Sequence, residues 1–315
     1  MAFASPVATV RAEPAGDAVP APAPAKPPPP PPYSLPWQLR PAAVGNVVRS
    51  DTAIAFYENP MSGESGVTAA SMLLGSYKLT PEFAPLVRLG VVSNDPPDGA
   101  RTPAGANIDG ATVFINPVIG ATYLFKLSPE FRLAAFLGVT LPVGGGGGDS
   151  PDPSSAAANG AGILARSAMD NAMFAVDYLT IFPGFDLAYV AHGLTVQLEA
   201  TLLQLFRVRS NEQVQPDDAR TNFTAGLHVG YFIVPQLSLG AELRHQRWLS
   251  TPAIVEADTT DTLRDNTTVA IGVRFHIKLS DTAWLRPGVA YATGLDDPMK
   301  LRKYQILQID VPVAF

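Results

Sequence analysis

The chain of 315 residues is 47% hydrophobic but only 16% charged, carries 26 glycines and 31 prolines, has a net charge of −6 and contains no cysteine. Soluble domains ordinarily carry about 25% charged residues, and zero cysteine excludes a disulfide framework, a thiol nucleophile and thiolate metal ligation. The modest acidity argues against nucleic acid as a partner, and no apolar stretch reaches the ~18 residues a membrane helix needs, because Arg, Asp, Gly or Pro interrupts each one.

In chain order, residues 1–36 are predicted to form a Pro/Ala-rich tether. Proline dominates from Pro14 to Pro36, and Pro27 to Pro32 is unbroken, which predicts an extended polyproline-type segment without a core. A plain spacer is the simpler reading and a ligand for a proline-reading domain the sharper one. Ala2 to Val10 is weakly apolar and has no basic flank, so it is at most the remnant of a signal peptide.

From residue 37 to 315 the pattern changes to segments of alternating polarity, a period of two that belongs to β-strands. Strands are predicted near 44–57, 67–79, 85–94, 111–126, 132–143, 178–190, 194–207, 222–233, 237–248, 266–279, 283–293 and 304–315. Short connections alternate with long ones, and each strand approximates the ~9 to 11 tilted residues of a bilayer crossing. The expected fold is all-β: a transmembrane antiparallel up-and-down β-barrel of about 12 strands.

Charge placement separates this reading from a soluble sandwich. In the apolar phase of six clear strands (for example Leu237, Leu239, Ala241, Leu243 and His245) no Asp, Glu, Lys or Arg occurs, and a lipid-facing Lys or Arg costs about 2–4 kcal/mol at the midplane. The other phase carries Arg132, Glu199, His228, Glu242, Arg244, Arg274, His276, Lys278 and Asp310 among small residues, which predicts a wet lumen. Tyr57, Tyr77, Tyr123, Phe125, Tyr189, Phe206, Phe223, Trp248, Trp284, Tyr291 and Tyr304 fall near strand ends and suggest two interfacial girdles.

Counted up from the short turns, Glu199, His228, Glu242 and Arg274 fall at similar heights with Arg88 and Arg286 somewhat lower, which predicts a charged mid-lumen cluster; Arg244 and His276 are further lumen candidates. They would act either as a constriction or as cross-strand ion pairs, Glu242 with Arg274 first among them. The longest connection, residues 144–177, is expected to be a surface loop, with an inward-folded plug as the alternative. Its glycine run lacks the Lys-Ser/Thr ending of a phosphate loop. Acidic outer loops, such as the one holding Glu256, Asp258, Asp261 and Asp265, match no calcium motif and read as solvated surface. No metal site, cofactor or catalytic constellation is expected: His245 precedes Arg247 on its face where a serine would be needed, and the remaining histidines lack a nucleophile with an orienting acid.

The last strand places Leu307, Ile309, Val311, Val313 and Phe315 on one face. This ending resembles the assembly signal read by the barrel-insertion machinery, and the pattern from Val44 to Phe315 resembles porin-like outer-membrane β-barrels. The resemblance implies a bacterial outer-membrane location with the N-terminus in the periplasm. It also implies contact with outer-membrane lipids and lipopolysaccharide, and a reach of the tether toward periplasmic cell-wall components. Functionally it implies a channel for small polar solutes, with a closed barrel serving as receptor, adhesin or structural envelope protein as the alternative.

Overall fold

A computed structural model describes residues 33–260 and 262–315. Residues 1–32 of the expected tether and signal remnant, and Asp261, lie outside the described residues. The strands are β1 (Val47–Glu58), β2 (Ser65–Ser76), β3 (Phe83–Asp95), β4 (Ala111–Phe114), β5 (Val118–Lys126), β6 (Phe131–Thr140), β7 (Tyr178–Ala191), β8 (Leu194–Arg207), β9 (Ala219–Val234), β10 (Leu237–Trp248), β11 (Asp265–Phe275), β12 (Ile277–Lys278), β13 (Trp284–Leu285), β14 (Gly288–Gly294) and β15 (Gln305–Ala314).

These segments make twelve wall strands. Both β4 and β5 pair with β3, both β13 and β14 pair with β15, and β12 continues β11. Pro117 and Pro287 sit at two of the breaks, where a residue without an N–H cannot continue the ladder. All pairs are antiparallel, and β1 closes on β15 from Val47 opposite Ala314 to Phe56 opposite Gln305. Closure leaves no unpaired edge, which is what hydrocarbon requires of a spanning sheet. Both ends of the wall therefore lie at the end of the short turns.

The two faces sort as the alternation predicts. Large apolar side chains point outward and are bare of protein cover, with Ile271 66%, Phe185 57% and Leu137 54% exposed. On β15, Leu307, Ile309 and Val311 face out with Phe315, while Gln308 and Asp310 are buried inside. A contiguous apolar surface of this kind on all sides marks contact with lipid.

Four expectations change. The first outer loop, between Glu58 and Ser65, is no longer than the turn between Ser76 and Phe83, so short and long connections alternate only beyond that pair. Tyr57, Tyr304 and Trp248 are not girdle residues: all lie in the inward phase, Trp248 against the interior cluster and the two tyrosines stacked on each other inside the barrel, rings 5.0 Å apart and 7° from parallel. Nor is the interior uniformly wet. Toward the long loops Met72, Ile115, Phe136, Phe182, Leu203 and Leu205 form an apolar cluster with Met173 and Phe174 of the longest connection.

That connection folds inward instead of lying on the surface. It contains α1 (Pro153–Ala165) and α2 (Asn171–Phe174). Helix α1 begins with Asp152, whose carboxylate accepts from the Ser155 N–H at 2.8 Å, followed by Pro153, a favourable first helical residue. Its small residues permit depth: a Cβ on Gly162 would collide with the Phe174 ring. Asn116, where β4 and β5 part, fastens the far end by donating to the Ala175 carbonyl at 2.9 Å and accepting from the Gly144 N–H at 2.9 Å.

Candidate functional site

Two segments occupy the lumen, one from each end, and the charged wall residues hold both. The first is residues 33–46. Its ends lie at the short-turn end, where Ser34 donates its N–H to Thr195 at 3.0 Å and Asn46 leads into β1, and its apex, Trp37 to Arg40, reaches the middle. Pro36 and Pro41 prevent it from pairing as a strand, so its backbone groups need partners from side chains.

The wall supplies them by sign. Carboxylates take the N–H groups: Glu242 accepts from Trp37 at 2.5 Å and from Gln38 at 3.4 Å, and Glu199 accepts from Arg40 at 2.6 Å. Guanidiniums take the carbonyls: Arg274 donates to Leu35 at 3.1 Å and Pro36 at 3.2 Å, and Arg49 donates to Trp37. Such charge-assisted bonds are about twice as strong as neutral ones. Tyr33, hydrogen-bonded to Gln197, packs with Ala42 against Leu124, Ala134, Ala188 and Val190. The four residues 33–36 of the expected tether are thus packed inside the barrel.

The second segment is the inward connection, locked by Arg166. This guanidinium is fully buried; it grips Asp51 of β1 through two bonds of 2.6 and 2.8 Å and Asp170 at 2.8 Å. Arg88 of β3 closes the ring, 2.5 Å from Asp170 and 3.4 Å from Asp51. Burial works against the charge on Arg166, but Asp51 and Asp170 outweigh it and hold its pKa above the ordinary range. For Asp170 burial pushes the carboxyl up, yet Arg88 and Arg166 prevail and set it below the ordinary carboxylate value. Ser167 and Ala168 take up left-handed backbone at φ 52° and 54° to reverse the chain after Arg166.

The segments meet at Gln38, whose amide donates to the Arg166 carbonyl and whose oxygen accepts from Gln308 at 3.2 Å. Arg244 spans the same junction: it donates to Glu242 at 2.5 Å, Gln308 at 2.7 Å and the Ser167 hydroxyl at 3.3 Å. Between the segments remains a cavity of about 70 Å³ lined by Arg40, Arg88, Asp170 and Glu199 among others.

The seven sequence candidates all face the interior, in three groups. Glu199, Glu242 and Arg274 hold residues 33–46, Arg88 and Arg244 hold the inward connection at Asp170 and Ser167, and the two histidines make up the third group. His228 stands edge-on to Trp37, ring centroids 5.9 Å apart, and 3.5 Å from Glu242. His276 lies nearer the short turns and shares a 2.9 Å hydrogen bond with Ser238, a nucleophile type the sequence reading missed. No carboxylate is hydrogen-bonded to that ring among the described residues.

The expected Glu242–Arg274 pair does not form. In the ladder Arg274 lies opposite Ser238 and Glu242 opposite Ala270, so strand stagger carries them apart. Glu242 pairs with Arg244, and Arg274 with Asp310 at 2.5 Å, an arrangement completed by Arg49 at 2.7 Å from the same Asp310. Asp51, Arg49, Arg40, Asp186, Arg166 and Asp170 were outside the sequence candidates. A signal existed for one: Arg166 is the only charge between Pro153 and Met169, with Asp170 at i+4, and a lone guanidinium in a small, apolar helix needs a buried carboxylate.

No protein-family model matches the chain, and no curated protein does. Among solved structures, the COG4313 outer membrane channel from Pseudomonas putida F1 aligns over 89% of this chain and 98% of its own, with a TM-score of 0.52 at 14% identity. The fold is that of a porin-like outer-membrane β-barrel. The NanC porin (8% identity, 84% of this chain, 98% of its own, TM-score 0.47) and the translocator domain of the autotransporter NalP from Neisseria meningitidis (12%, 85%, 86%, 0.45) are more distant.

Proposed function

We propose that the protein is an outer-membrane channel for small solutes, closed at rest by residues 33–46 and the 144–177 connection. The observation that supports this most directly is how the lumen is filled. A twelve-stranded barrel is wider than the eight-stranded size that its own side chains can fill, and this one is closed by inserted chain, held to the wall through ion pairs and charge-assisted hydrogen bonds. Polar fasteners of this kind exchange with water when a segment leaves, whereas a close-packed apolar plug would expose its whole surface. The long-loop end faces outward in this reading and the N-terminus the periplasm, with the β15 ending as the element the insertion machinery reads and lipopolysaccharide bordering the outer rim.

Because Arg40, Arg49, Arg88, Arg166, Arg244 and Arg274 are already matched to carboxylates, these arginines offer no free selector for charged solutes at rest. The filled lumen also favours a second reading, a permanently closed barrel acting as receptor or anchor. No step of either reading uses catalysis. Planar-bilayer recording of refolded protein separates them. The channel reading expects rare openings in the wild type and brief but more frequent ones when Arg166→Met unlocks the connection; a membrane that stays silent with both proteins supports the closed barrel.

A further inference from the structure

Beyond the latch, at the long-loop end, the interior holds a larger cavity of about 650 Å³, within the ~300–1,000 Å³ of small-molecule sites. One side is α1 and α2; the others are the outer ends of β8, β10 and β11 and the short helix α3 (Ala253–Glu256). Ile163, Leu164, Leu205, Trp248, Ile254 and Leu263 dominate its lining. This is the reverse of a wet porin mouth. Ile254 sits at the rim and is 59% exposed.

The polar part of the lining is sparse and electrically balanced. Asp177, Arg220, Asp265 and Arg302 contribute two charges of each sign. Three of them are engaged: Arg220 with Asp217 at 2.9 Å, Asp265 with Arg247 at 3.0 Å, and Asp177 with the Gly148 N–H at 2.7 Å. Three amides are not fully used. Asn159, Asn171 and Asn266 are 5%, 4% and 3% exposed, and each keeps at least one side-chain polar atom without a protein partner.

We infer that this cavity binds a small, mainly apolar, uncharged molecule carrying one or two hydrogen-bonding groups. The apolar walls reward desolvation of the body of such a molecule, and the balanced charges give an ion no advantage. The inference deepens the channel reading, on which it rests for its meaning as the first stop of a solute entering from the long-loop side; binding itself does not require conduction. The α1 wall of the cavity is continuous with Arg166, so occupancy bears directly on the helix that carries the latch.

The test uses the full chain in lipid nanodiscs and saturation-transfer NMR with two probes: indole, an apolar bicycle with one N–H donor, and sucrose, a neutral polyol. Indole is expected to bind saturably above an empty-nanodisc blank, and sucrose not to bind. Gly160 lies on α1 in the cavity wall, and a Cβ there would meet nothing within 4 Å. Gly160→Trp therefore fills the space and should weaken indole binding roughly tenfold or more, about 1.4 kcal/mol, while Gly160→Ala leaves it intact. Ile254→Glu, at an exposed position that does not threaten folding, should weaken it as well. Indole no better than the blank, binding unchanged in both variants, or sucrose binding as well as indole would each overturn the inference. Indole binding with no current in the bilayer would leave the site standing and sink the channel reading, and current without indole binding would do the opposite.

Discussion

At the scale of single residues, the most consequential group is Arg166, a fully buried guanidinium held by Asp51 and Asp170. Removing one partner of a buried pair ordinarily costs ~3–5 kcal/mol because a charge is left uncompensated. After Arg166→Met, Asp51 still has Arg88 at 3.4 Å and Arg49 at 3.9 Å, so the loss belongs near ~3 kcal/mol, more than a hundredfold in the ratio of released to seated connection. Protease cleavage within 144–177, in the regime where it tracks the open population, should speed up by that factor while the barrel keeps its heat-modifiable gel shift.

Asp170 gives the same latch a pH dependence with a definite sign. Its carboxyl pKa is held below the ordinary value by Arg88 and Arg166 against the effect of burial. Its contribution is therefore complete above the ordinary value of ~3.9 and is lost as pH falls through the lowered value. Openings in a planar bilayer should become more frequent only on strong acidification. Asp170→Asn should show frequent openings already at neutral pH and lose that acid response; an acid response that persists in the variant would move the titrating group elsewhere.

At the scale of elements, the contest is over residues 33–46. Trp37, 2% exposed, is the largest side chain at the apex and lies over Gly240 and Gly288, two inward positions where any Cβ would press on the indole. Truncating a buried Trp costs about 3–5 kcal/mol, and the segment has no strand pairing to fall back on. The absence of cysteine makes a clean reporter available: in a Leu39→Cys background, Trp37→Ala should turn a maleimide-resistant thiol into a reactive one, because Leu39 is 1% exposed when seated.

This segment also shows where the sequence stops being legible. The wall could be read because lipid on one side and polar interior on the other impose a period of two on each strand, as in Leu307 to Phe315. Residues 33–46 and 153–174 carry no such period. Their positions depend on partners far along the chain, Trp37 on Glu242 and Arg166 on Asp51, and strand stagger sets which charges meet. Reading only the phase of Glu242 and Arg274 could place both inside the barrel but could not pair them.

At the scale of the whole molecule, the two inserted segments act in series. Residues 33–46 close the half near the short turns, the 144–177 connection closes the half near the long loops, and Gln38 with Arg166 is where they touch. Removing one leaves the other on its own wall contacts: Arg166, Asp170 and Asn116 do not need Trp37, and Glu199 and Arg274 do not need α1. If the occlusions were independent, their effects on the closed state would add; the shared Arg244 and Gln38 contacts make them couple instead. Removing residues 1–42 alone, or replacing 150–168 alone by a short Gly/Ser linker, should therefore give only brief openings as the remaining segment fluctuates. The double variant should give a steady ohmic step. Recording all four proteins in planar bilayers measures the coupling directly, and steady current from either single variant would show that one segment, not the pair, keeps the lumen closed.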